Sequence, residues 1–330
     1  MTRIQLSIAV GDYDHIRDLL SGAVPVEGVD LVVARSHPVE EIFHRFIHFR
    51  EWDISEMSFA KYVALRSQPD CDLEAIPVFP SRAFRHSSFY VPAGSNIDSP
   101  AQLAGKRVGI PEWAQTAAIY TRGMIAHDYG VPLRDITWHQ AGVNQPGRKE
   151  KVRLQLPEGV RYVPVPDQSL SQMLEAGTID AALSARAPDA FLSGRGQVRR
   201  LFASARDAEL AYWRKTGIFP IMHVVAIRRA VLQAHPWIAM NLLQAFEEAK
   251  RRSLERMSDV TASFAPLPWL PMYAELSREL LGPDFWPYGV EPNRRTLEAF
   301  LLYAWEQGIC QRQLSPEELF APSCLATVRV

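Results

Sequence analysis

The chain has 330 residues, of which 47% are hydrophobic, and its 36 basic residues nearly balance 37 acidic ones. This length and composition predict a compact protein that can bury a core in each of two domains. The net charge of -1 provides no electrostatic footprint for nucleic acid or for an anionic membrane surface, which excludes both as expected partners and favours a small molecule.

The first ten residues alternate between apolar and polar side chains, which predicts a strand over 1–10. A polar turn at 11–15 follows directly, without the long apolar segment and small-residue cleavage site of an export signal. No apolar run approaches the ~18 to 20 residues that a membrane helix needs. These features predict a cytoplasmic protein. His15 lies where the turn enters a helix, a place whose free backbone N–H groups attract anions, and is therefore a candidate ligand contact.

Strands and helices alternate along most of the chain, as in α/β proteins, and helices dominate its last third. The predicted strands are 1–10, 29–34, 53–58, 88–91, 106–110, 136–139, 179–184 and 216–227. The predicted helices are one that ends near Leu20, a short one from Pro100, and then 38–50, 59–66, 111–129, 169–176, 236–257, 272–281 and 293–307.

Two histidines lie four residues apart on the predicted helix 38–50, as in some zinc sites. His44 is followed by arginine, however, and not by the glutamate of the HExxH motif. Both His44 and His48 lie opposite the apolar stripe of the helix, so we expect them to be solvated. A second polar group, Ser55, Glu56 and Ser58, marks the end of the third predicted strand. It indicates either a ligand-binding strand end or a simple helix cap.

The segment Pro77–His86 concentrates cationic side chains between prolines and aromatic residues. Because proline favours extended geometry and lacks an N–H donor, we expect a strand end or a crossing between domains here. Arg82, Arg85 and His86 would suit a small, planar, multiply anionic ligand, since a guanidinium matches carboxylate oxygens two at a time. The alternative is that the two arginines are solvated loop residues paired with surface carboxylates.

Further candidates lie on or after later predicted strands. Glu112 and Thr116 open the helix 111–129, and Arg148 ends a loop rich in small residues. Arg186 repeats the pattern of a guanidinium at a strand end, with an ion pair to Asp189 or Glu175 as the alternative. His223 lies on the most apolar predicted strand, where a hydrogen-bonded core residue is the usual interpretation and a role at the second crossing is the other.

The aromatic loop 284–289 contains Trp286 and would either cover an aromatic ligand or anchor the helical tail on the core. The three cysteines are far apart and form no CxxC motif, so neither a disulfide framework nor a structural zinc site is predicted. They are Cys71, Cys310 and Cys324.

Several motifs together resemble one family along essentially the whole chain. The stretch 99–109 resembles the opening of the second lobe in type 2 periplasmic-binding proteins. More specific motifs resemble 4,5-dihydroxyphthalate decarboxylases: 11–15, 40–45, 55–58, 77–86, 217–223 and 285–290. This resemblance implies a two-lobed α/β fold with two crossing strands and a helical C-terminal tail. Lobe 1 would comprise 1–90 and 220–330, lobe 2 would comprise 91–219, and the ligand cleft would lie between them.

The family resemblance implies conversion of 4,5-dihydroxyphthalate to 3,4-dihydroxybenzoate and carbon dioxide. Proton transfer would come from His15, His86, His223 or Glu112. Arg82, Arg85, Arg148 and Arg186 would bind carboxylates, and Ser55, Ser58, Thr116 and Trp286 would complete the substrate site.

No dinucleotide, phosphate-loop, thiamine, biotin or pyridoxal motif is present, so no cofactor is predicted. A divalent metal on the catechol oxygens, with His15, His86, Glu112 or His223 as ligands, is the minority interpretation. A solute-binding protein for a small aromatic or carboxylate ligand is the rival function, because one fold serves many functions. A decarboxylase of a related hydroxyphthalate is the third. The oligomeric state, a homo-oligomer included, stays open.

Overall fold

A computed structural model describes residues 3–34, 37–152 and 154–325. Met1 and Thr2 of the predicted first strand lie outside these ranges. The strands are β1 Ile4–Ala9, β2 Val29–Ala34, β3 Ile54–Ser58, β4 Leu73–Ile76, β5 Phe89–Pro92, β6 Arg107–Ile110, β7 Thr137–Gly142, β8 Arg161–Ser169, β9 Ala181–Leu183, β10 Val198–Arg200 and β11 His223–Arg228.

The α-helices and the strands alternate, which confirms the predicted α/β class. The helices are α1 Asp14–Leu20, α2 Val39–Phe49, α3 Phe59–Arg66, α4 Thr116–Asp128, α5 Leu170–Glu175, α6 Asp189–Leu192, α7 Ala205–Thr216, α8 Arg229–Ala234, α9 Ile238–Ser258, α10 Leu270–Leu281 and α11 Arg294–Glu306. Short 3-10 turns occupy His86–Ser88, Pro100–Leu103, Leu133–Asp135, Glu291–Asn293, Pro316–Leu319 and Pro322–Cys324.

Within the described ranges the strands form two sheets. The first has five strands in the order β2-β1-β3-β11-β4, and the second has six in the order β10-β5-β9-β6-β7-β8. In the first sheet β1 runs parallel to β2 and β3, whereas β11 runs antiparallel to β3 and β4. The chain therefore leaves the first sheet after β4 and returns to it at β11.

Two extended segments connect the sheets, 77–88 on the way out and 217–222 on the way back. They meet side by side, since Arg82 and Ile221 form an antiparallel bridge. The Ala83 amide donates to Pro220 O at 3.1 Å, and the Met222 amide donates to Ser81 O at 2.8 Å. The expected crossing at Pro77–His86 is thus present as paired extended backbone.

Some predicted bounds were wrong. The strand predicted over 216–227 begins only at His223, because α7 extends to Thr216 and Gly217 then turns with φ of 67°. The helix predicted over 111–129 begins at Thr116. The division into lobes at residues 90 and 219 stays a prediction.

The helical tail packs on both halves of the molecule. On α11 the buried Phe300 ring stacks on Phe59 of α3 at 4.6 Å between centroids and lies 4.9 Å from Tyr120 of α4. Aromatic contacts of this kind add to the burial of apolar area. The tail therefore holds α3 and α4 beside each other. Among the described residues, no helix has the length and apolarity that crossing a membrane would require.

Candidate functional site

A cavity of about 460 Å³ lies where α2, α3, the start of α4 and the crossing segments converge. This volume is within the range of small-molecule sites. One part of its wall is apolar and includes Val39, Phe43, Ile47, Leu65, Leu154 and Ile309. The polar part includes Ser58, Lys61, Arg85, Glu112, Gln115, Thr116, Arg148 and His223. Six of the predicted site residues thus share this cavity: Ser58, Arg85, Glu112, Thr116, Arg148 and His223.

The sheet brings a carboxylate against the cavity histidine. The Oε1 atom of Glu56 lies 2.6 Å from Nδ1 of His223, and it accepts a hydrogen bond of 2.8 Å from the Tyr13 hydroxyl. The backbone N–H of Gly11 donates to Oε2 of Glu56 at 2.7 Å. Because a carboxylate with three donors can only accept, Nδ1 of His223 carries a proton. In the neutral imidazole Nε2 is then the acceptor, and it makes no hydrogen bond within the part of the chain that the structure describes.

Strand register explains this arrangement. His223, the first residue of β11, lies opposite Ser58, the last residue of β3. Side chains alternate along a strand, so Glu56 and Ser58 share one face while Ser55 points to the other. Gly11 and Tyr13 follow β1, which runs parallel to β3. The carboxyl ends of two parallel strands therefore meet the start of an antiparallel one, as at ligand sites of open α/β sheets.

Burial keeps the Tyr13 hydroxyl of this cluster protonated. Glu56 is fully buried. Burial raises the pKa of Tyr13 far above its usual value, and the neighbouring Glu56 charge raises it further. Tyr13 therefore remains a phenol and a hydrogen-bond donor. The His223 side chain, at 18% exposed, is the member of the cluster that reaches the cavity.

Arg85 brings a cation to the cavity wall beside His223. Its Nε atom contacts the Met222 sulfur at 3.2 Å. It forms no ion pair with any carboxylate of the described residues. Burial lowers the pKa of Arg85 to about 10, and the charge of Glu209 opposes this shift. The group stays charged at neutral pH, so an anionic ligand would supply a missing counter-charge.

A second charged group lies on the other side of the cavity. The Oε1 atom of Glu112 accepts hydrogen bonds from Nε and Nη2 of Arg148 at 2.9 and 2.6 Å. The ammonium groups of Lys61 and Lys151 lie 3.4 and 3.7 Å from the same carboxylate. Gln140 holds the Arg148 loop in place, since its Nε2 donates to Arg148 O at 2.9 Å. With these three cations around it, Glu112 is placed to orient them, and we no longer assign it proton transfer.

Hydroxyl groups line the cavity between the two charged groups. Ser58 Oγ lies 3.0 Å from Thr116 Oγ1, which also accepts from the Ala60 amide at 3.0 Å. Thr116 is the first residue of α4, so the positive end of that helix faces the cavity. This bond joins the end of a first-sheet strand to a helix that follows a second-sheet strand.

Arg82 does not reach the cavity, contrary to the prediction that it anchors a carboxylate. Its guanidinium donates to Pro287 O and Phe219 O at 3.1 Å each and to Asn293 Oδ1 at 2.6 Å. It is 6% exposed, and burial lowers its pKa to about 10. These bonds fasten Pro287 and Asn293 to the crossing segments. The Nε–H has no partner among the described residues, but it is buried and Arg82 does not line the cavity.

Two aromatic candidates, Trp286 and His15, do not line the cavity, as is also true of Arg82. Trp286 donates from Nε1 to Phe79 O at 3.1 Å, and its ring lies 5.6 Å from Phe219. His15 lies against Trp286 with ring centroids 5.4 Å apart, and burial lowers its pKa to about 4. Of the two interpretations of the aromatic loop, the structure therefore favours the anchor over the lid.

The remaining candidates also lie away from the cavity wall. His86 is 1% exposed and packs edge-on against Phe202 and Tyr212, and burial lowers its pKa to about 4. Ser55 is buried on the opposite strand face, where its hydroxyl donates to a backbone carbonyl. The Arg186 side chain is 74% exposed and lies 3.5 Å from Glu40, so it has a carboxylate partner, but not the expected Asp189 or Glu175.

The four residues considered as metal ligands are not gathered at one point. His223 and Glu112 line the cavity, whereas His15 and His86 do not. The described ranges contain no group of three or more His, Cys, Asp or Glu side chains arranged to hold a metal. We therefore derive no step from a metal.

Sequence reasoning assigned no place in the substrate site to Glu56, Tyr13 or Lys61. It marked Glu56 only as one of the polar residues at the end of the third predicted strand. Tyr13 and Lys61 gave no signal of their own. His44 and His48 are exposed as expected, yet both line the cavity, because its wall includes the side of α2 next to the apolar stripe.

Two curated proteins named 4,5-dihydroxyphthalate decarboxylase are similar to this chain. The one from Comamonas testosteroni is 40% identical over 331 residues, which cover 100% of each chain. The one from Pseudomonas putida is 39% identical over 215 residues, covering 65% of this chain and 83% of that protein. No protein-family model matches.

Solved structures share the fold at low sequence identity. A periplasmic sulfonate-binding protein SsuA from Methylobacillus flagellatus has a TM-score of 0.55 and 16% identity, covering 97% of this chain and 92% of that one. The SsuA of Escherichia coli has a TM-score of 0.51 and 14% identity over the same shares. The desulfurization enzyme DSZB has a TM-score of 0.52 and 15% identity, with 97% and 96% covered. These matches confirm the periplasmic-binding-protein-like fold.

Proposed function

Since this chain belongs to the 4,5-dihydroxyphthalate decarboxylase family, we propose that it converts 4,5-dihydroxyphthalate to 3,4-dihydroxybenzoate and carbon dioxide. The observation that carries this proposal is the Glu56–His223 pair, whose free Nε2 faces the same cavity as Arg85. Together these groups offer a proton acceptor for a phenol and a cation for a carboxylate. A planar dianion with two phenolic hydroxyls needs both.

The chemistry explains why a base is needed. Direct loss of carbon dioxide from an aryl carboxylate would leave an electron pair in the ring plane, where the ring cannot delocalise it. A deprotonated hydroxyl para to the departing carboxylate instead pushes electron density to the carbon that bears it. That carbon takes up a proton, and release of carbon dioxide then returns the bonding pair to the ring. The substrate has a twofold axis, so either carboxylate yields the same product.

His223 is the base in this scheme. Glu56 orients the imidazole and stabilises the imidazolium that forms when Nε2 takes the proton of the hydroxyl. Tyr13 and the Gly11 amide hold the carboxylate in turn, through the bonds of 2.8 and 2.7 Å. Such a chain of hydrogen bonds keeps the base in one orientation.

Arg85 binds the carboxylate that is retained. Its guanidinium is partly buried and has no carboxylate partner among the described side chains, so binding of an anion relieves the cost of its desolvation. The hydroxyls of Ser58 and Thr116 and the Arg148 guanidinium complete the polar wall. We further propose that lobe 1, 1–90 and 220–330, and lobe 2, 91–219, close on the ligand and exclude water, which strengthens these interactions.

The ring is its own electron sink in this route, so the proposal requires no organic cofactor. Incubation of the protein with 4,5-dihydroxyphthalate should release carbon dioxide and change the ultraviolet spectrum to that of the product. In deuterium oxide, the product should carry one deuterium on the ring carbon next to the retained carboxylate. A parallel reaction after dialysis against a chelator should proceed at the same rate.

Two other outcomes would replace the proposal. Tight binding of the diacid without turnover would indicate a solute receptor. Turnover of another hydroxyphthalate in a substrate panel, with none of the 4,5-isomer, would assign the chain to a related reaction.

A further inference from the structure

Lys61 is a largely covered cation on the cavity wall. Its side chain is only 11% exposed, although lysine ordinarily extends into solvent. It lies on the first turn of α3, three residues after Ser58. Ser58 in turn lies opposite His223 where β3 pairs with β11. Lys61, Ser58 and His223 therefore follow one another along the polar wall.

The ammonium group of Lys61 is held loosely. Its nearest contacts are Glu112 Oε2 at 3.4 Å and Glu150 Oε1 at 3.7 Å. Short charge-assisted bonds are nearer ~2.8 Å. Arg148 already binds Glu112 through two such bonds, at 2.9 and 2.6 Å. Since an ammonium has three N–H donors and no tight bond engages them here, Lys61 has donors available for a ligand.

We propose that Lys61 is the general acid that protonates the ring carbon of the departing carboxylate. This inference rests on the proposed decarboxylation. His223 takes the proton of the para hydroxyl, and Lys61 gives a proton to the ring carbon, where a C–H bond forms. The bond from that carbon to the carboxylate then breaks, carbon dioxide leaves, and the electron pair returns to the ring. The phenolate regains its proton from His223, and the Lys61 amine takes one from water, so each turnover consumes one proton.

The other cavity groups are less suited to this step. His223 accepts a proton at Nε2 and cannot donate one at the opposite edge of the same ring. Arg85 binds the retained carboxylate in this scheme, and Arg148 donates two hydrogen bonds to Glu112, so neither guanidinium is placed for this transfer. Lys61 is the less exposed of the two lysines near Glu112, since the Lys151 side chain is 52% exposed.

The variants Lys61→Arg and Lys61→Met distinguish a lysine that donates a proton from one that only binds a carboxylate. The arginine variant keeps the charge and the ion pairs but donates no proton. We expect both variants to lose about 100-fold or more in kcat, with KM changed by less than about tenfold. A primary ammonium such as ethylammonium should restore part of the activity of Lys61→Ala. Lys149→Met, which changes an exposed lysine of the neighbouring loop, is the matched control and should leave kcat unchanged.

The result that overturns the inference is an arginine variant with wild-type kcat, or a methionine variant in which only KM rises. Either would make Lys61 a carboxylate anchor. The arginine variant also covers the case in which the methionine variant does not fold. Failure of the proposed function is distinct, because the wild-type protein would then release no carbon dioxide from the diacid.

Discussion

The imidazole Nδ1 of His223 lies 2.6 Å from the carboxylate of Glu56, although the two residues are 167 positions apart. The antiparallel pairing of β11 with β3 produces this contact. A buried carboxylate that fixes one imidazole nitrogen leaves the other as an oriented base. In the proposed reaction, this pair removes the hydroxyl proton of the substrate.

Replacing Glu56 by glutamine should lower kcat by about 100-fold to 10,000-fold, because an amide neither fixes the Nδ1–H tautomer nor stabilises the imidazolium. Steady-state kinetics on 4,5-dihydroxyphthalate would measure this loss. Glu74→Gln makes the same change on β4 of the same sheet and should behave as wild type. A Glu56→Gln protein with wild-type kcat would remove His223 from proton transfer.

Replacing Arg85 by alanine should raise KM for the diacid by about 10-fold to 100-fold, since a charge-assisted bond to the retained carboxylate is lost. Arg186 was predicted on the same grounds but is 74% exposed, so Arg186→Ala should leave KM unchanged. Equal effects in the two variants would contradict the assignment of Arg85. Calorimetric binding of the product, which retains one carboxylate, provides an independent measurement.

Replacing Arg82 by methionine should destabilise the fold without altering the site. The variant leaves Phe219 O and the Asn293 amide oxygen without the Arg82 donor and removes one of two donors to Pro287 O, which costs roughly 2–4 kcal/mol in the free energy of unfolding. Urea denaturation would measure the shift of the midpoint. KM of the folded fraction should stay at the wild-type value, and a large rise in KM at unchanged stability would return Arg82 to the binding site.

His86 should make the folded state sensitive to acid. Its pKa is lowered to about 4 in the folded protein, below the usual value of 6.5, because burial disfavours the charged imidazole. Between these values the unfolded chain binds the proton and the folded chain does not, so stability is lost as pH falls through this window. Wild type should lose up to about 3 kcal/mol from this residue between pH 7 and pH 4.

The variant His86→Phe keeps a ring against Phe202 and Tyr212 but cannot titrate. Its unfolding free energy should therefore fall less steeply between pH 7 and pH 4 than that of wild type. His48→Phe removes an exposed imidazole and should keep the wild-type slope. Identical slopes for wild type and His86→Phe would show that this imidazole does not resist protonation.

Local patterns predicted most of the elements. The alternation in β1 and the apolar spacing in α2 are short-range signals, and the capping box of Ser169 with Gln172 marks the start of α5. The strand β8 was missed because Pro164 and Pro166 are typical of loops. It tolerates them as an edge strand of the second sheet.

Residue types along the chain predicted a site with cationic side chains, but they did not predict which of these side chains line the cavity. Arg82, Arg85 and His86 occur within five positions and are equivalent as a pattern. The twist of the crossing segment turns Arg85 into the cavity, whereas Arg82 and His86 are packed behind it. Side-chain direction depends on how this segment pairs with 217–222, a contact between distant parts of the chain.

Composition, periodicity and motifs were thus sufficient for the α/β class, the small anionic ligand and the family, because each is encoded in residues close together along the chain. The contact of His223, the proposed base, with Glu56 depended on the pairing of β11 with β3. The separation of Arg85 from Arg82 depended on the crossing of two remote segments. Long-range contacts arise from the packing of the whole molecule, which no local pattern records.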